Sequence, residues 1–157
     1  MNYNELPEII DLRNMWPPPH TIVFTNGCFD LLHPGHVKII QHAGVLAGMY
    51  GAVIVGVNDD DSVRRYKGND RPIVPIEDRV FLVENIAMPL LKRFIVLPFS
   101  EDTPIDLIRA VKPNIVLKGG DYTPEQVVGH DVDGVEIAIF SLVPGKSSTN
   151  YREKLNV

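Results

Sequence analysis

At 157 residues the chain is long enough to bury one hydrophobic core, and its 45% hydrophobic and 22% charged content is that of a soluble globular domain. No apolar run reaches the roughly 18 residues that a membrane span needs, and the first twenty residues, with Glu5, Glu8 and Asp11, do not read as a secretory signal. A net charge of −5 weighs against nucleic acid as a partner but leaves an anionic small substrate open, and the single cysteine, Cys28, fits a reducing, cytoplasmic setting.

In chain order, residues 5–14 carry Leu6, Ile9, Ile10 and Arg13 at helical spacing, and Pro17-Pro18-Pro19 ends that helix. Residues 1–20 are therefore expected as an N-terminal helix and Pro-rich connector, and residues 21–157 as the domain proper. A first strand is expected at 21–24 and a helix from Pro34 to about Met49. The apolar run 52–57 is a second strand, 59–65 a helical turn, 67–72 a loop and 76–87 a second long helix. Strands three, four and five are expected at 94–97, 114–117 and 135–139. A helix at 104–111 joins the third to the fourth, and a last helix begins near Ser147 or Ser148.

Short, nearly continuous apolar strands alternating with helices imply a parallel sheet covered on both faces. The expected fold is a doubly wound α/β domain with five parallel strands. Ligands of such sheets lie beyond the carboxyl ends of the strands. The loops that fall there are 26–36, 58–71, 118–122 and 144–149, and they hold the chemistry.

The first loop, Asn26-Gly27-Cys28-Phe29-Asp30-Leu31-Leu32-His33-Pro34-Gly35-His36, is a strand-to-helix turn. Pro34 suits a first helical position, His33 the N-cap, and Gly35 lets a ligand approach the backbone. Free N–H groups and the helix dipole make such a turn an anion site. His33 and His36, three apart, can face one point and donate to phosphate oxygens. A metal pair is the competing reading, but no Cys or Glu companion has suitable spacing.

The second loop brings Arg64, Arg65, Lys67, Arg71 and Arg79. Fixed cations there would neutralise a phosphate chain, although a solvated charged face is the commoner fate of Lys and Arg. Lys67 and Arg71, flanked by Gly68 and Pro72, favour function, while Arg79 is equally suited to pairing with Glu77 or Asp78. Asp59-Asp60-Asp61 also reads as a helix-start acid cluster. In the third loop, Lys118-Gly119-Gly120-Asp121-Tyr122, the glycines allow a close turn and Asp121 can accept from an amine or a hydroxyl. Ser147, Ser148 and Thr149 open the last helix with three hydroxyls, a phosphate-binding composition.

The run Gly27 to His36, with its His-x-Gly-His, resembles the signature of the cytidylyltransferase-like nucleotidyltransferases. Further segments resemble one branch, the adenylyltransferase domain of ADP-heptose synthases: Val57-Asn58-Asp59-Asp60-Asp61-Ser62-Val63-Arg64-Arg65, Lys67-Gly68, Arg71-Pro72-Ile73, Asp78-Arg79, Glu101-Asp102-Thr103-Pro104, Lys118-Gly119-Gly120-Asp121-Tyr122 and Val127-Val128-Gly129. The likeness covers residues 21 to 154. It implies a Rossmann-like domain that transfers AMP from ATP to a sugar 1-phosphate, with D-glycero-β-D-manno-heptose 1-phosphate as the expected sugar, and Mg²⁺ accompanying ATP. It implies catalytic roles for His33, His36, Lys67 and Arg71. Nucleotide contacts would come from Asn26, Gly27, Cys28, Phe29, Asp30, Gly35, Lys118, Gly119, Asp121, Ser147, Ser148 and Thr149. Substrate contacts would come from Asp60, Arg64 and Arg79, and no protein side chain is expected as a metal ligand.

The chain departs from the branch in having Lys92-Arg93 where a Val-Asp pair is usual, and in a shortened segment 129–136. Many relatives are fused to a sugar kinase; none is expected in this length, so a separate kinase would supply the substrate. The likeness implies a homodimer, with no nucleic-acid or membrane partner. A cytidylyltransferase for glycerol 3-phosphate or a phospho-alcohol shares the His-x-Gly-His motif. A non-catalytic nucleotide-binding module is the reading from another class.

Overall fold

In the computed structural model, residues 2–14, 21–86, 93–141, 148 and 151–152 are described. Five strands, β1 (Ile22–Gly27), β2 (Ala52–Asn58), β3 (Phe94–Phe99), β4 (Ile115–Gly119) and β5 (Glu136–Phe140), form one sheet in the order β3-β2-β1-β4-β5. All four pairings are parallel, as the apolar runs require. β2 lies inside the sheet and is buried from Ala52 to Val57.

Alternate strand residues serve two cores. Val23, Val53, Val55, Val57, Val96 and Leu117 join α2 (Pro34–Ala47) and α4 (Ile76–Glu84) through Ile40, Ala43 and Val83. Phe24, Ile54, Phe99 and Val116 join α1 (Pro7–Asn14) and α5 (Ile105–Val111) through Ile9, Leu12, Leu107 and Ile108. Each such fully buried side chain contributes roughly 1.5–3 kcal/mol. A shorter helix, α3 (Asp60–Lys67), follows β2 directly.

Most boundaries differ from the expectation by one to three residues, and three of these shifts have a plain physical cause. β1 continues to Gly27 rather than ending at Phe24, because Asn26 and Gly27 stay in register with Gly56 and Val57 of β2. Pairing with a buried neighbour outweighs the turn propensity of Asn and Gly. β3 runs through Pro98 to Phe99, which an edge strand tolerates because one side needs no N–H. Lys67 closes α3 instead of opening a loop. Gly68, at φ 100°, supplies the left-handed residue there and donates to the Arg64 carbonyl. The Pro17–Pro19 connector, Trp16, Lys92, Ser147 and Thr149 lie outside the described residues. The shortened segment 129–136 folds as successive turns, Val132 donating to Gly129 and Val135 to Val132, and delivers the chain straight into β5.

Candidate active site

Chain connections leave β1 and β4 in opposite directions, so the gap between their carboxyl ends is the topological switch point of the sheet. A cavity of about 580 Å³ opens there. Its floor is Asn26, Gly27, Cys28 and Phe29 from the end of β1 and Lys118 and Gly119 from the end of β4. His33, Gly35 and His36 at the start of α2, Lys67 at the end of α3, and Ser148 complete one side.

The turn into α2 fixes both imidazoles by their Nδ1 atoms. His33 is the N-cap: its Nδ1 accepts the Gly35 N–H at 3.1 Å. The His36 Nδ1 accepts the His33 N–H at 3.4 Å, closing a capping box built from histidines. A nitrogen that accepts carries no proton, so in both rings the proton sits on Nε2, leaving a donor at the far edge. The rings stack with centroids 3.8 Å apart and Phe29 wedges against His36 at 5.2 Å. Burial, then the neighbouring His33 and Lys67, push the His36 pKa down to about 3 against the opposing pull of Asp30. Two Nε2–H donors thus stand at the α2 N-terminus, whose own first amides are taken up by His33: Gly35 N–H by its Nδ1, His36 and Val37 N–H by its carbonyl.

Asp30 makes this turn possible. Phe29 and Leu31 adopt left-handed backbone at φ 52° and 46°, a costly conformation for side-chain-bearing residues. Between them the Asp30 carboxylate, 1% exposed, accepts from Arg71 Nη1 at 2.8 Å and from the Ile73 and Val74 N–H groups at 3.0 Å. Burial by itself would raise the Asp30 pKa; the Arg71 bond and the two amides outweigh it and hold the carboxyl below its usual range. Ser148 Oγ donates to the Asp30 carbonyl at 2.5 Å, tying the last helical segment to the same turn.

Several expected ligands are placed elsewhere. Arg71 is 6% exposed, paired with Asp30 and absent from the cavity lining, so it braces the turn from behind instead of meeting phosphate. Arg79 is fully buried, and its partner is neither Glu77 nor Asp78. It donates to the carbonyls of Val74, Cys28 and Asn58 and to Asp60 Oδ1 at 2.6 Å, locking the ends of β1 and β2 to the start of α3. That pairing also commits Asp60. Arg64 bonds Asp61 on the outer surface of α3, and Asp121 is exposed beside the cavity without lining it. Asp30 itself is buried and absent from the cavity lining.

Among the described residues, Lys118 and Lys67 are the Lys or Arg side chains lining the cavity. Lys118 Nζ lies 3.4 Å from Asn26 Oδ1 and 5.9 Å from the Tyr122 ring centroid, and burial lowers its pKa although Cys28 opposes this. Gly120 follows at φ 133°, where a Cβ would come within 2.8 Å of the Tyr122 ring, so the turn after β4 requires glycine. Sequence reasoning missed the opposite wall: Asn58, Asp102, Thr103 and Pro104, with Tyr122, Gln126 and Val128. Two signals pointed to it: these residues follow strands two, three and four, and Asn58, Asp102, Thr103, Pro104, Tyr122 and Val128 fall within the segments that resemble the branch. Among the described residues no group of three or more His, Cys, Asp or Glu side chains could hold a metal ion.

A phosphate chain along the α2 N-terminus would meet the imidazole donors of His33 and His36 and the ammonium groups of Lys67 and Lys118. With the parallel sheet and the switch-point cavity, this defines the class: a Rossmann-like α/β nucleotide-binding domain. Residues 24–154 match the family described as Cytidylyltransferase-like, and the chain belongs to that family of nucleotidyltransferases. Bifunctional protein HldE of a Nitratiruptor species is 48% identical over 134 residues, covering 85% of this chain and 27% of that protein. Bifunctional protein HldE of Pelobacter propionicus is 46% identical over 137 residues, covering 85% and 27%. The chain spans about a quarter of the length of these curated relatives. The lipopolysaccharide core biosynthesis protein from Thermoplasma volcanium GSS1 superposes with a TM-score of 0.56 at 25% identity, over 78% of this chain and 96% of that one. Pantoate-beta-alanine ligase from Francisella tularensis shares the fold, with a TM-score of 0.59 at 15% identity over 92% and 69%. No helix among the described residues is long and apolar enough to cross a membrane.

Proposed function

We propose that the chain transfers AMP from ATP to a sugar 1-phosphate, giving an ADP-sugar and pyrophosphate. A phosphate oxygen of the sugar phosphate attacks the α-phosphorus in line; that bond forms as the bond to the bridging oxygen of pyrophosphate breaks. The attacking oxygen is already ionised near neutral pH, so the step needs no general base. Lowering the barrier then rests on positioning and on donors aimed at the charge that builds on the phosphates.

The observation that carries this reading is the orientation of the two imidazoles. Their Nδ1 atoms are occupied by backbone N–H groups, so each can only donate through Nε2. Such a pair suits phosphate oxygens and is poorly suited to taking a proton. In this reading Lys67 and Lys118 neutralise the triphosphate, with Asn26, Gly27, Cys28, Phe29, Gly35 and Gly119 forming the floor beneath the nucleotide. Ser147 and Thr149 are assigned from their sequence positions to close over the phosphates, beside Ser148, whose hydroxyl holds the Asp30 carbonyl. Mg²⁺ supplies charge neutralisation as part of the ATP chelate. The described cavity lining offers a single carboxylate, Asp102, which already bonds Arg65, so no residue of the chain is assigned as a metal ligand.

The resemblance to ADP-heptose synthases supports D-glycero-β-D-manno-heptose 1-phosphate as the sugar and a homodimer as the assembly. Pyrophosphate release measured for ATP and CTP against a panel of sugar 1-phosphates tests the assignment. ATP with a heptose 1-phosphate should turn over fastest; a clear preference for CTP with glycerol 3-phosphate would replace it.

A further inference from the structure

Tyr3 lies outside the family-matched stretch of residues 24–154, yet it bonds Glu101, the residue that precedes the cavity-lining Asp102. It is 2% exposed, with its ring in the core beside α5, and its hydroxyl donates to the Glu101 carboxylate. Glu101 immediately precedes Asp102, Thr103 and Pro104, all of which line the cavity. The same carboxylate accepts the Ser100 N–H at 3.2 Å, and the Glu101 carbonyl accepts from Ser62 Oγ at 3.2 Å. Ser62 Oγ in turn accepts from Asn58 Nδ2 at 2.8 Å, and Asn58 lines the cavity too. Arg65 holds the loop from the α3 side, bonding Asp102 at 2.7 Å and the Ser100 carbonyl at 2.5 Å. The loop after β3 is thus gripped by α3 on one side and by a residue near the chain's start on the other.

This wall differs in chemistry from the imidazole side. It offers an amide, a carboxylate and a hydroxyl, the donor and acceptor set that recognises a polyol, whereas His33, His36 and Lys67 offer donors for phosphate. We propose that Tyr3 is a positioning residue: its hydroxyl fixes Glu101 and thereby the wall of Asn58, Asp102 and Thr103 against which the acceptor sugar phosphate binds. This rests on the reading of the cavity as a site for ATP and a sugar phosphate. A phenol bonded to an ionised carboxylate is a charge-assisted contact, and here the phenol side is buried while Glu101 is half-buried. Burial, reinforced by Glu101, raises the Tyr3 pKa well above its ordinary value, so the phenol stays a donor at any working pH.

Tyr3→Phe keeps the ring and removes only the hydroxyl. Its melting temperature should stay close to that of the unmodified chain. Amide exchange at Ser100, whose N–H bonds the Glu101 carboxylate, should quicken by roughly tenfold, the scale of one lost charge-assisted hydrogen bond. KM for the sugar phosphate should rise about threefold to tenfold, with kcat and the KM for ATP changed less than about twofold. Glu101→Gln, whose amide oxygen still accepts from the phenol, should fall between the two, and it carries the test if Tyr3→Phe does not fold. Unchanged exchange overturns the proposal, as does a change in which kcat and both KM values move together. If the unmodified chain releases no pyrophosphate with any sugar phosphate, the reading of the cavity fails, and the exchange rates alone then decide whether Tyr3 holds the wall.

Discussion

Arg71 Nη1 and Asp30 Oδ2 meet at 2.8 Å with exposures of 6% and 1%, and this buried pair supports the turn that presents His33 and His36. Breaking such a pair from one side strands a charge and costs about 3–5 kcal/mol. Arg71→Ala and Asp30→Ala should therefore each lower unfolding stability by about that amount, measured by urea denaturation. A phosphate ligand at an exposed position would lose activity with little stability, and that outcome for Arg71→Ala would return it to the cavity.

His36→Ala removes one Nε2–H donor from the cavity. One such donor is worth about 3–4 kcal/mol in the barrier, so turnover should fall by about two to three decades. Turnover within a few-fold of the unmodified chain, in an assay of pyrophosphate release, would remove His36 from the reaction.

The Lys67 side chain is exposed at the end of α3, so Lys67→Gln should leave the melting temperature nearly unchanged. Its charge still acts on the cavity, since it helps depress the pKa values of His36 and Lys118. Turnover should fall by about one to two decades, and the dependence of ATP affinity on salt should weaken.

Acid should destabilise the fold in two stages. His36 has its pKa lowered to about 3 when folded, against 6.5 unfolded, so the unfolded chain binds this proton first. Stability is lost as pH falls below about 6.5, by an amount of order 1–3 kcal/mol at pH 4.5. Asp30, also depressed, adds its loss below the ordinary carboxylate range, where the unfolded chain takes up that proton. Denaturation curves of His36→Asn at pH 7 and pH 4.5 should show a smaller difference than those of the unmodified chain. An equal difference would show that His36 titrates normally.

The sheet and the histidine turn into α2 were legible in the sequence because their signals are local. Continuous apolar runs at 52–57 and 94–97 require a two-sided sheet, and Pro34 and Gly35 after His33 mark a helix start without reference to anything distant. Arg79 was not legible. Glu77 and Asp78 beside it suggest surface pairing, whereas its carbonyl partners are Val74, Cys28 and Asn58, brought together only when β1, β2 and α4 assemble. The burial of Arg71 was hidden for the same reason, since its partner Asp30 sits inside a motif whose His33, Gly35 and His36 line the cavity. The wall of Asp102 and Thr103 carries no distinctive residue type, and only the closing of the sheet places it opposite the imidazoles.

The central claim is that AMP, and not a terminal phosphoryl group, is transferred. Mass analysis of the products from ATP and a heptose 1-phosphate tests it most directly. The account predicts a sugar phosphate that has gained AMP, with one pyrophosphate per product and far less of both from His36→Ala. ADP with a doubly phosphorylated sugar, or unchanged substrates across the whole panel, would contradict it.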